Sequence, residues 1–195
     1  MHFTPNSVCV QMKYVMYPHG GSGNHGCEAI VRTTVNLLGE DAGLYSSRPS
    51  QDVEVGLNKI CRVELAEQPI GRGGLVYFKA LLKSKFLGRK DAFDEAVFRQ
   101  VLKGTKLADC FLSIGGDNYC YGHNRFIYLV NRMIDRKGIP RILWGSSVEP
   151  DSIDGLMLSD LNGYKKIWAR ESLTYEALLA GSRALSPEVS HALMA

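Results

Sequence analysis

Residues 14–30 carry the sequence YVMYPHGGSGNHGCEAI, in which an apolar run is interrupted by four glycines and then continues at helical spacing. The pattern predicts a strand at 13–17, a glycine loop and a helix near 26–38. The first N–H groups of a helix lack backbone partners and carry the positive end of its dipole, so they attract an anion. We therefore expect a phosphate or carboxylate to bind at Gly21, Gly23, Asn24, His25 and Gly26. The alternative interpretations are that Asn24 is the helix N-cap and that His25 is a solvated loop residue.

The rest of the chain continues this alternation of strands and helices. Further strands are predicted near 43–46, 61–65, 109–114, 140–146 and 165–169. Further helices are predicted near 50–57, 73–87, 91–103, 124–137 and 153–162, and from residue 172 onward. Such alternation is typical of parallel βαβ units. We therefore predict an α/β fold over 12–181, with a doubly wound, mostly parallel, Rossmann-like sheet and helices on both faces.

The two ends of the chain fall outside this pattern. Residues 1–11 show no clear period, and we expect an N-terminal extension there. Residues 182–195 carry no strand signal where a doubly wound enzyme would continue into another domain. We therefore expect a divergent tail over 182–195, with a second domain absent from the chain.

Composition excludes several classes of protein. The chain has 195 residues, of which 45% are hydrophobic and 22% charged, as is usual for one globular domain. A net charge of +3 is too small to indicate a nucleic-acid partner. No apolar stretch approaches the roughly 20 residues that span a bilayer, and neither a secretory signal nor a C-x-x-C pair is present. We therefore predict a cytoplasmic protein with reduced thiols that binds no nucleic acid.

Ligands of doubly wound sheets bind beyond the carboxyl ends of the strands, so the loops that follow the later strands are candidate sites. After the strand at 109–114, two glycines permit close backbone approach, and Asp117 can act as a base, orient a sugar hydroxyl or hold a cation. An Asx turn is the alternative interpretation of Asp117. Substrate-binding residues are predicted in this loop and the next at Gly115, Gly116, Asn118, Ser146, Ser147 and Glu149.

Arg170 follows the last predicted strand. A guanidinium at a strand end can clamp a carboxylate or phosphate through two parallel hydrogen bonds. A surface ion pair with Glu171 is the alternative interpretation. Neither Arg170 nor the other candidate residues require a metal ion.

The spacing Gly21-x-Gly23-x-x-Gly26 also matches the dinucleotide fingerprint. The second strand ends near Ser47 and Arg48, which suit the 2′-phosphate of NADP. Glu28 argues against this interpretation, because its carboxylate would repel a pyrophosphate at the helix N-terminus. An NADP-dependent oxidoreductase domain therefore remains an alternative.

The predicted helix at 73–87 has an apolar stripe of Leu75, Phe78, Leu82 and Phe86 beside a basic flank. We expect the stripe to cover the sheet and the basic residues to face solvent. The same pattern is also typical of a helix that lies on an anionic membrane. Peripheral membrane contact through residues 73–90 therefore remains open.

Taken together, the four strand-end loops resemble those of the polysaccharide pyruvyl transferase family, over about residues 12–181. The resemblance is carried by four segments: YPHGGSGNHGCEAI at 17–30, SIGGDNY at 113–119, WGSSVEP at 144–150 and ARES at 169–172. Enzymes of this family move a pyruvyl group from phosphoenolpyruvate onto a sugar as a ketal.

The resemblance implies one half of a GT-B-like, two-domain enzyme of surface polysaccharide synthesis. It places Asp117 and Arg170 among the catalytic residues, and a further Arg and a His in the second half. Phosphoenolpyruvate would be the donor substrate, with no cofactor, and the acceptor a sugar or oligosaccharide, including a lipid-linked one at the inner face of the membrane. After Gly181 the sequence departs from the family, so we expect a truncated chain. A non-catalytic anion-binding remnant is the other alternative.

Overall fold

A computed structural model describes residues 12–39, 41–104, 106, 108–180 and 185–191. Its strands are β1 (Tyr14–His19), β2 (Ala42–Ser46), β3 (Arg62–Leu65), β4 (Cys110–Ile114), β5 (Arg141–Ser146), β6 (Lys166–Ala169) and β7 (Glu188–His191). Its α-helices are α1 (His25–Leu38), α2 (Pro49–Glu54), α3 (Leu75–Phe86), α4 (Ala92–Val97), α5 (Arg99–Gly104), α6 (Arg125–Asp135), α7 (Gly155–Leu161) and α8 (Ser172–Ala180). None of these helices is both long enough and apolar enough to cross a bilayer.

The seven strands form one parallel sheet in the order β3-β2-β1-β4-β5-β6-β7. The predicted α/β fold with a doubly wound, Rossmann-like sheet is therefore confirmed. The chain moves outward from β1 to β3 and then crosses back to pair β4 with β1. Strand order reverses between β1 and β4, and their carboxyl ends open a crevice of the kind in which such folds bind ligands.

Both faces of the sheet are covered because successive strand residues point to opposite sides. On one face, Val15, Tyr17 and Phe111 pack among apolar side chains of α5 and α6. On the other face, Met16, Leu112 and neighbouring residues pack against α1. Burial between two helical layers explains why the central strands β1, β2 and β4 are largely apolar rather than alternating in polarity.

A polar network lies inside this core beneath β4, β5 and β6. The fully buried Arg141 side chain donates from Nε to Oδ1 of Asp135 at 2.6 Å, and its guanidinium lies 4.1 Å from the ring centre of Tyr164. The hydroxyl of Tyr119 donates to Oδ2 of Asp160 at 2.6 Å, and Asn131 donates to the same oxygen at 2.8 Å. Charged groups inside the domain are thus paired rather than isolated, as burial requires.

The expectation that 182–195 carries no strand is wrong for part of that segment. Residues Glu188–His191 form β7, which pairs in parallel with β6 and extends the sheet by one strand. The side chain of Lys166 on β6 donates to Oε1 of Glu188 at 2.9 Å. Strand β7 is short, mixed in polarity and at the sheet edge, so it has no apolar run to reveal it. Residues 1–11, the predicted extension, lie outside the described part of the chain.

Two predicted helices also differ. The helix expected over 91–103 is two short helices, α4 and α5, joined at Phe98, whose buried ring packs near Phe126. The apolar stripe expected to cover the sheet instead faces outward on α3: Leu75 and Phe86 are 81% and 78% exposed. The inner face of α3 packs on α4, where Tyr77 lies 5.5 Å from Phe93 between ring centres.

Candidate functional site

The crevice at the switch point has a volume of about 120 Å³. Its walls come from the end of β1, the start of α1 and the loop after β4. The lining residues are Pro18, His19, Gly20, Cys27, Ile30, Ile114, Gly115, Gly116, Asp117 and Asn118. Four predicted site residues, those at 115–118, therefore line it. The volume is below that of a typical drug-sized pocket and suits a small ligand or one part of a larger ligand.

Arg170, which is not among the lining residues, lies next to the lining residue Asp117, although 53 positions separate the two. Asp117 follows β4 and Arg170 follows β6, so the parallel sheet brings both to its carboxyl edge. Nη1 of Arg170 lies 3.8 Å from Oδ1 of Asp117, and both side chains are exposed. This arrangement places a guanidinium, a group that can bind an anion, beside a carboxylate, a group that can accept a proton.

Gly115 and Gly116 form the backbone next to the Asp117–Arg170 pair. Gly115 has a φ of +117°, a conformation that residues with a Cβ rarely adopt. A Cβ at Gly116 would overlap Nη1 of Arg170, so the absence of a side chain lets the guanidinium lie directly over the backbone. Asn118 fixes the loop by donating from Nδ2 to the carbonyl of Ile114 at 2.7 Å.

The glycine loop between β1 and α1 makes several contacts within the protein. The N–H of Gly23 donates to Oε1 of Gln51 at 3.1 Å, and Cβ of Arg48 would lie 2.8 Å from a Cβ at Gly21. These glycines therefore allow the loop to pack closely against the start of α2. Asn24 caps α1 by accepting from the N–H of Gly26 at 2.8 Å. Several amides that would form an anion cradle are already bonded within the protein.

Residues 21–26 lie beside the crevice rather than among its lining residues. His25 is almost fully exposed, and its Nδ1 lies 3.4 Å from Oε2 of Glu28. Arg32 donates to the other carboxylate oxygen of Glu28 at 2.7 Å. The hydrogen bond from Arg32, with a smaller contribution from His25, holds the pKa of Glu28 below its ordinary value. An ionised Glu28 in the first turn of α1 opposes anion binding at that helix start.

The loop after β5 is hydrogen-bonded to the loops that follow β4 and β6. Ser146 is fully buried and donates to the carbonyl of Ser147 at 3.3 Å. The hydroxyl of Ser147 donates to Oε2 of Glu171 at 2.7 Å, while its N–H donates to the carbonyl of Gly116 at 2.8 Å. These two serines join the loops that carry Asp117 and Arg170. Glu149 is exposed at the start of a short 3-10 turn.

A buried cluster at the end of β1 contains none of the predicted site residues. Nε2 of His19 lies 2.9 Å from Oδ1 of Asp52, and the hydroxyl of Ser22 donates to the same oxygen at 2.6 Å. All three side chains are almost completely buried, and His19 also lines the crevice. Burial opposes ionisation of Asp52, but hydrogen bonds from Ser22, Ser46 and His19 outweigh it and lower the pKa of its carboxyl group. An ionised Asp52 thus fixes the orientation of His19 at the crevice wall.

Cys27 is a second lining residue that the sequence analysis did not assign to the site. Burial, followed by the negative charge of Asp117, raises the pKa of its thiol, and Arg170 opposes that effect. The thiol is therefore protonated near neutral pH and is a weak nucleophile. Because the charges of Asp117 and Arg170 both affect the pKa of Cys27, its thiol lies close to those two side chains.

The described residues also form a second, larger cavity. This cavity of about 440 Å³ lies between the loop before α3 and the start of that helix, lined by Arg72, Leu75, Arg99 and neighbouring residues. It contains none of the predicted site residues. Across the described ranges, no group of three or more His, Cys, Asp or Glu side chains is arranged to hold a metal ion.

Comparisons with known proteins identified no relative of this chain. Family models, curated proteins and solved structures were compared with the chain, and none matched it.

Proposed function

We propose that the switch-point crevice is the phosphoenolpyruvate-binding wall of a polysaccharide pyruvyl transferase. The observation that best supports this proposal is the meeting of Asp117, which lines the crevice, with Arg170. The family resemblance assigns both residues to catalysis. Their convergence from loops after two different strands is what a shared active site requires.

Arg170 is the group that binds the donor. Phosphoenolpyruvate carries a phosphate and a carboxylate, and a guanidinium can bind either through two parallel hydrogen bonds. The ion pair of Arg170 with Asp117, at 3.8 Å, is longer than a hydrogen bond. The guanidinium therefore keeps N–H donors for a substrate anion, and the backbone at Gly115 and Gly116 lets that anion approach closely.

Asp117 is the group that orients and deprotonates the acceptor hydroxyl. In the overall transfer, C3 of phosphoenolpyruvate gains a proton and becomes a methyl group. Two sugar hydroxyl oxygens bond to C2, and the C2–O bond to the phosphate breaks. One hydroxyl proton balances the proton gained at C3, and the other leaves with phosphate. A carboxylate within reach of both the sugar and Arg170 suits the first of these proton transfers.

His19 gives the same wall a second titratable group. Its imidazole lines the crevice, and Asp52 holds it in one orientation from behind. We assign it the role of positioning the donor, because a group oriented by a buried carboxylate costs little reorganisation during reaction.

A calorimetric titration with phosphoenolpyruvate tests the proposal. Arg170→Gln removes the guanidinium from an exposed position, so the fold should persist while affinity for phosphoenolpyruvate falls at least tenfold. Arg62→Gln is the matched control, because Arg62 is also an exposed arginine paired with a carboxylate, Glu64, but lies on β3 away from the crevice. Absence of phosphoenolpyruvate binding by the unaltered chain, or equal binding by Arg170→Gln, contradicts the proposal.

The NADP alternative rests on Ser47 and Arg48 at the end of β2. Two contacts weigh against it: the hydroxyl of Ser47 already donates to Glu67 at 2.8 Å, and the N–H of Gly23 is occupied by Gln51. Arg48 is exposed beside Gly21 and keeps the alternative testable. NADPH binding that weakens in Arg48→Ala would favour an oxidoreductase domain over a pyruvyl transferase.

A further inference from the structure

Helix α3 presents an apolar surface to solvent. Four side chains at spacings of three and four residues form what we call the apolar ridge: Leu75, Phe78, Leu82 and Phe86, which are 81%, 51%, 55% and 78% exposed. Such spacing aligns them along one side of the helix. Leu87, immediately after the helix, is 68% exposed and lengthens the ridge. A contiguous exposed row of large apolar side chains marks an interaction surface.

The orientation of the ridge is fixed by contacts on the opposite side of α3. Ala80 is buried, and the ring of Tyr77 packs 5.5 Å from that of Phe93 on α4. These inward-facing residues hold the helix against the domain. The ridge therefore faces outward because the other side of the helix is already packed, and it cannot turn inward without losing that packing.

Positive charge surrounds the ridge. Residues 68–90 contain six basic residues and no acidic one, whereas the rest of the chain has more acidic than basic residues. At 3.6 residues per turn, Lys79 and Lys83 lie along one side of the ridge and Lys85 along the other. All three are exposed. The surface thus has an apolar centre and cationic borders on both sides.

The apolar centre and cationic borders of the ridge indicate which kind of partner binds it. In a symmetric dimer through the ridge, the same patch would face itself and bring the basic residues of 68–90, a segment without acidic residues, close to one another. An anionic bilayer instead offers acyl chains to the leucines and phenylalanines and phosphate groups to the lysines. The charge pattern therefore favours a lipid surface over a second copy of the chain.

We propose that the apolar ridge docks the protein on an anionic membrane surface. Leu75, Phe78, Leu82 and Phe86 enter the boundary between headgroups and acyl chains, and the flanking lysines bind lipid phosphates. The segment that leads into α3 leaves from the carboxyl end of β3, the same edge of the sheet that bears the crevice. The docking proposal concerns the surface of α3 and does not rest on the proposed function of the crevice.

Vesicle flotation tests this docking with the full chain. We expect the protein to float with vesicles that contain phosphatidylglycerol, to bind phosphatidylcholine vesicles at least tenfold less, and to be released by high salt because screening weakens the lysine contacts. Phe78→Ser combined with Phe86→Ser should reduce binding at least tenfold. Lys79→Glu combined with Lys83→Glu should do the same on the anionic vesicles only. Circular dichroism verifies that each variant is folded.

Matched controls are available outside α3. Leu37→Ser replaces a 68% exposed leucine on α1, and Lys137→Glu replaces an exposed lysine after α6; both should bind as the unaltered chain does. Failure to float with anionic vesicles overturns the proposal, as does equal binding by the ridge variants. A dimer in sedimentation analysis that Phe78→Ser with Phe86→Ser abolishes would assign the ridge to a second copy and would also overturn it.

Discussion

At the scale of single residues, His19 owes its orientation to a carboxylate on another element. Asp52 on α2 is fully buried and accepts from both His19 and Ser22. In the sequence, Asp52 is one polar residue of a short helix and gives no sign of its partner 33 positions away. Hydrophobic periodicity does not reveal such a pair, because it indicates which face of a helix or strand is buried and not which side chains of different elements are in contact.

Asp52→Asn tests this contact by its effect on stability. We expect the free energy of unfolding at pH 7 to fall by about 1–3 kcal/mol, since a buried hydrogen-bonded charge loses one acceptor and gains an unsatisfied N–H donor. The pKa of Asp52 is lowered on folding from its ordinary 3.8, so its stabilising effect is present above that pH. The difference between the two proteins should shrink as pH falls below 3.8 through the folded-state pKa. Urea denaturation at several pH values measures it; a difference independent of pH would contradict this role.

Gly116→Ala tests the close approach of Arg170 to the loop backbone. The new Cβ would displace the flexible end of Arg170, so we expect affinity for phosphoenolpyruvate to fall about tenfold, as one disrupted charged contact would cause. Stability should change by about 0.5 kcal/mol or less, because only a surface side chain must move. Gly155→Ala is the control, because nothing lies within 4 Å of its Cβ position. Unchanged affinity in Gly116→Ala would show that Arg170 need not lie over this glycine.

At the scale of elements, the strands were the most predictable part of the fold. Strands β1, β4 and β5 are buried apolar runs ended by glycine or serine, and their predicted and observed bounds differ by no more than two residues. Helices were less predictable in two places. The junction between α4 and α5 has no glycine or proline to reveal it, and the apolar stripe of α3 is also what a core-facing helix would show. The burial of Ala80 and the packing of Tyr77 on Phe93 distinguish the two sides.

The N-terminus of α1 supplies a prediction at this scale. Asn24 satisfies the N–H of Gly26, and Asn24→Ala should lower the free energy of unfolding by about 1 kcal/mol, the usual cost of losing an N-cap. His25→Ala is the neighbouring control; it removes an exposed side chain and should change stability by less than about 0.5 kcal/mol. Chemical denaturation of both variants measures the difference. Equal effects would indicate that the cap does not stabilise the helix.

At the scale of the whole molecule, the sequence sufficed to predict the parallel α/β architecture, and the crevice lies at the carboxyl edge of its sheet. The sequence also located Asp117 and Arg170 on separate loops, and the sheet order explains why those loops meet. The roles of the other loops depended on tertiary contacts. Gly21 and Gly23 lie close to side chains of Arg48 and Gln51, and Ser147 donates to Glu171. The same residue types also suit a ligand, so composition alone did not reveal these contacts.

The contribution of the buried Arg141 network to the stability of the fold can be measured by replacing Arg141. Arg141→Met should lower the free energy of unfolding by about 3 kcal/mol, the lower end of the range for breaking a buried ion pair, because Asp135 stays partly hydrated. Arg136→Met is the control, since Arg136 pairs with Glu95 at an exposed position and should contribute less than about 1 kcal/mol. Thermal or urea unfolding gives both values. A loss no larger than the control's would contradict a stabilising role for the network.

The most direct test of the proposed site is a crystal structure of the chain with phosphoenolpyruvate. We predict that the phosphate or carboxylate of the donor lies within hydrogen-bond distance of Arg170, above the backbone of Gly115 and Gly116, with Asp117 facing the opening through which a sugar would enter. A structure in which phosphoenolpyruvate binds instead at the N-terminus of α1, at Arg48 or in the cavity before α3 would contradict the proposed site.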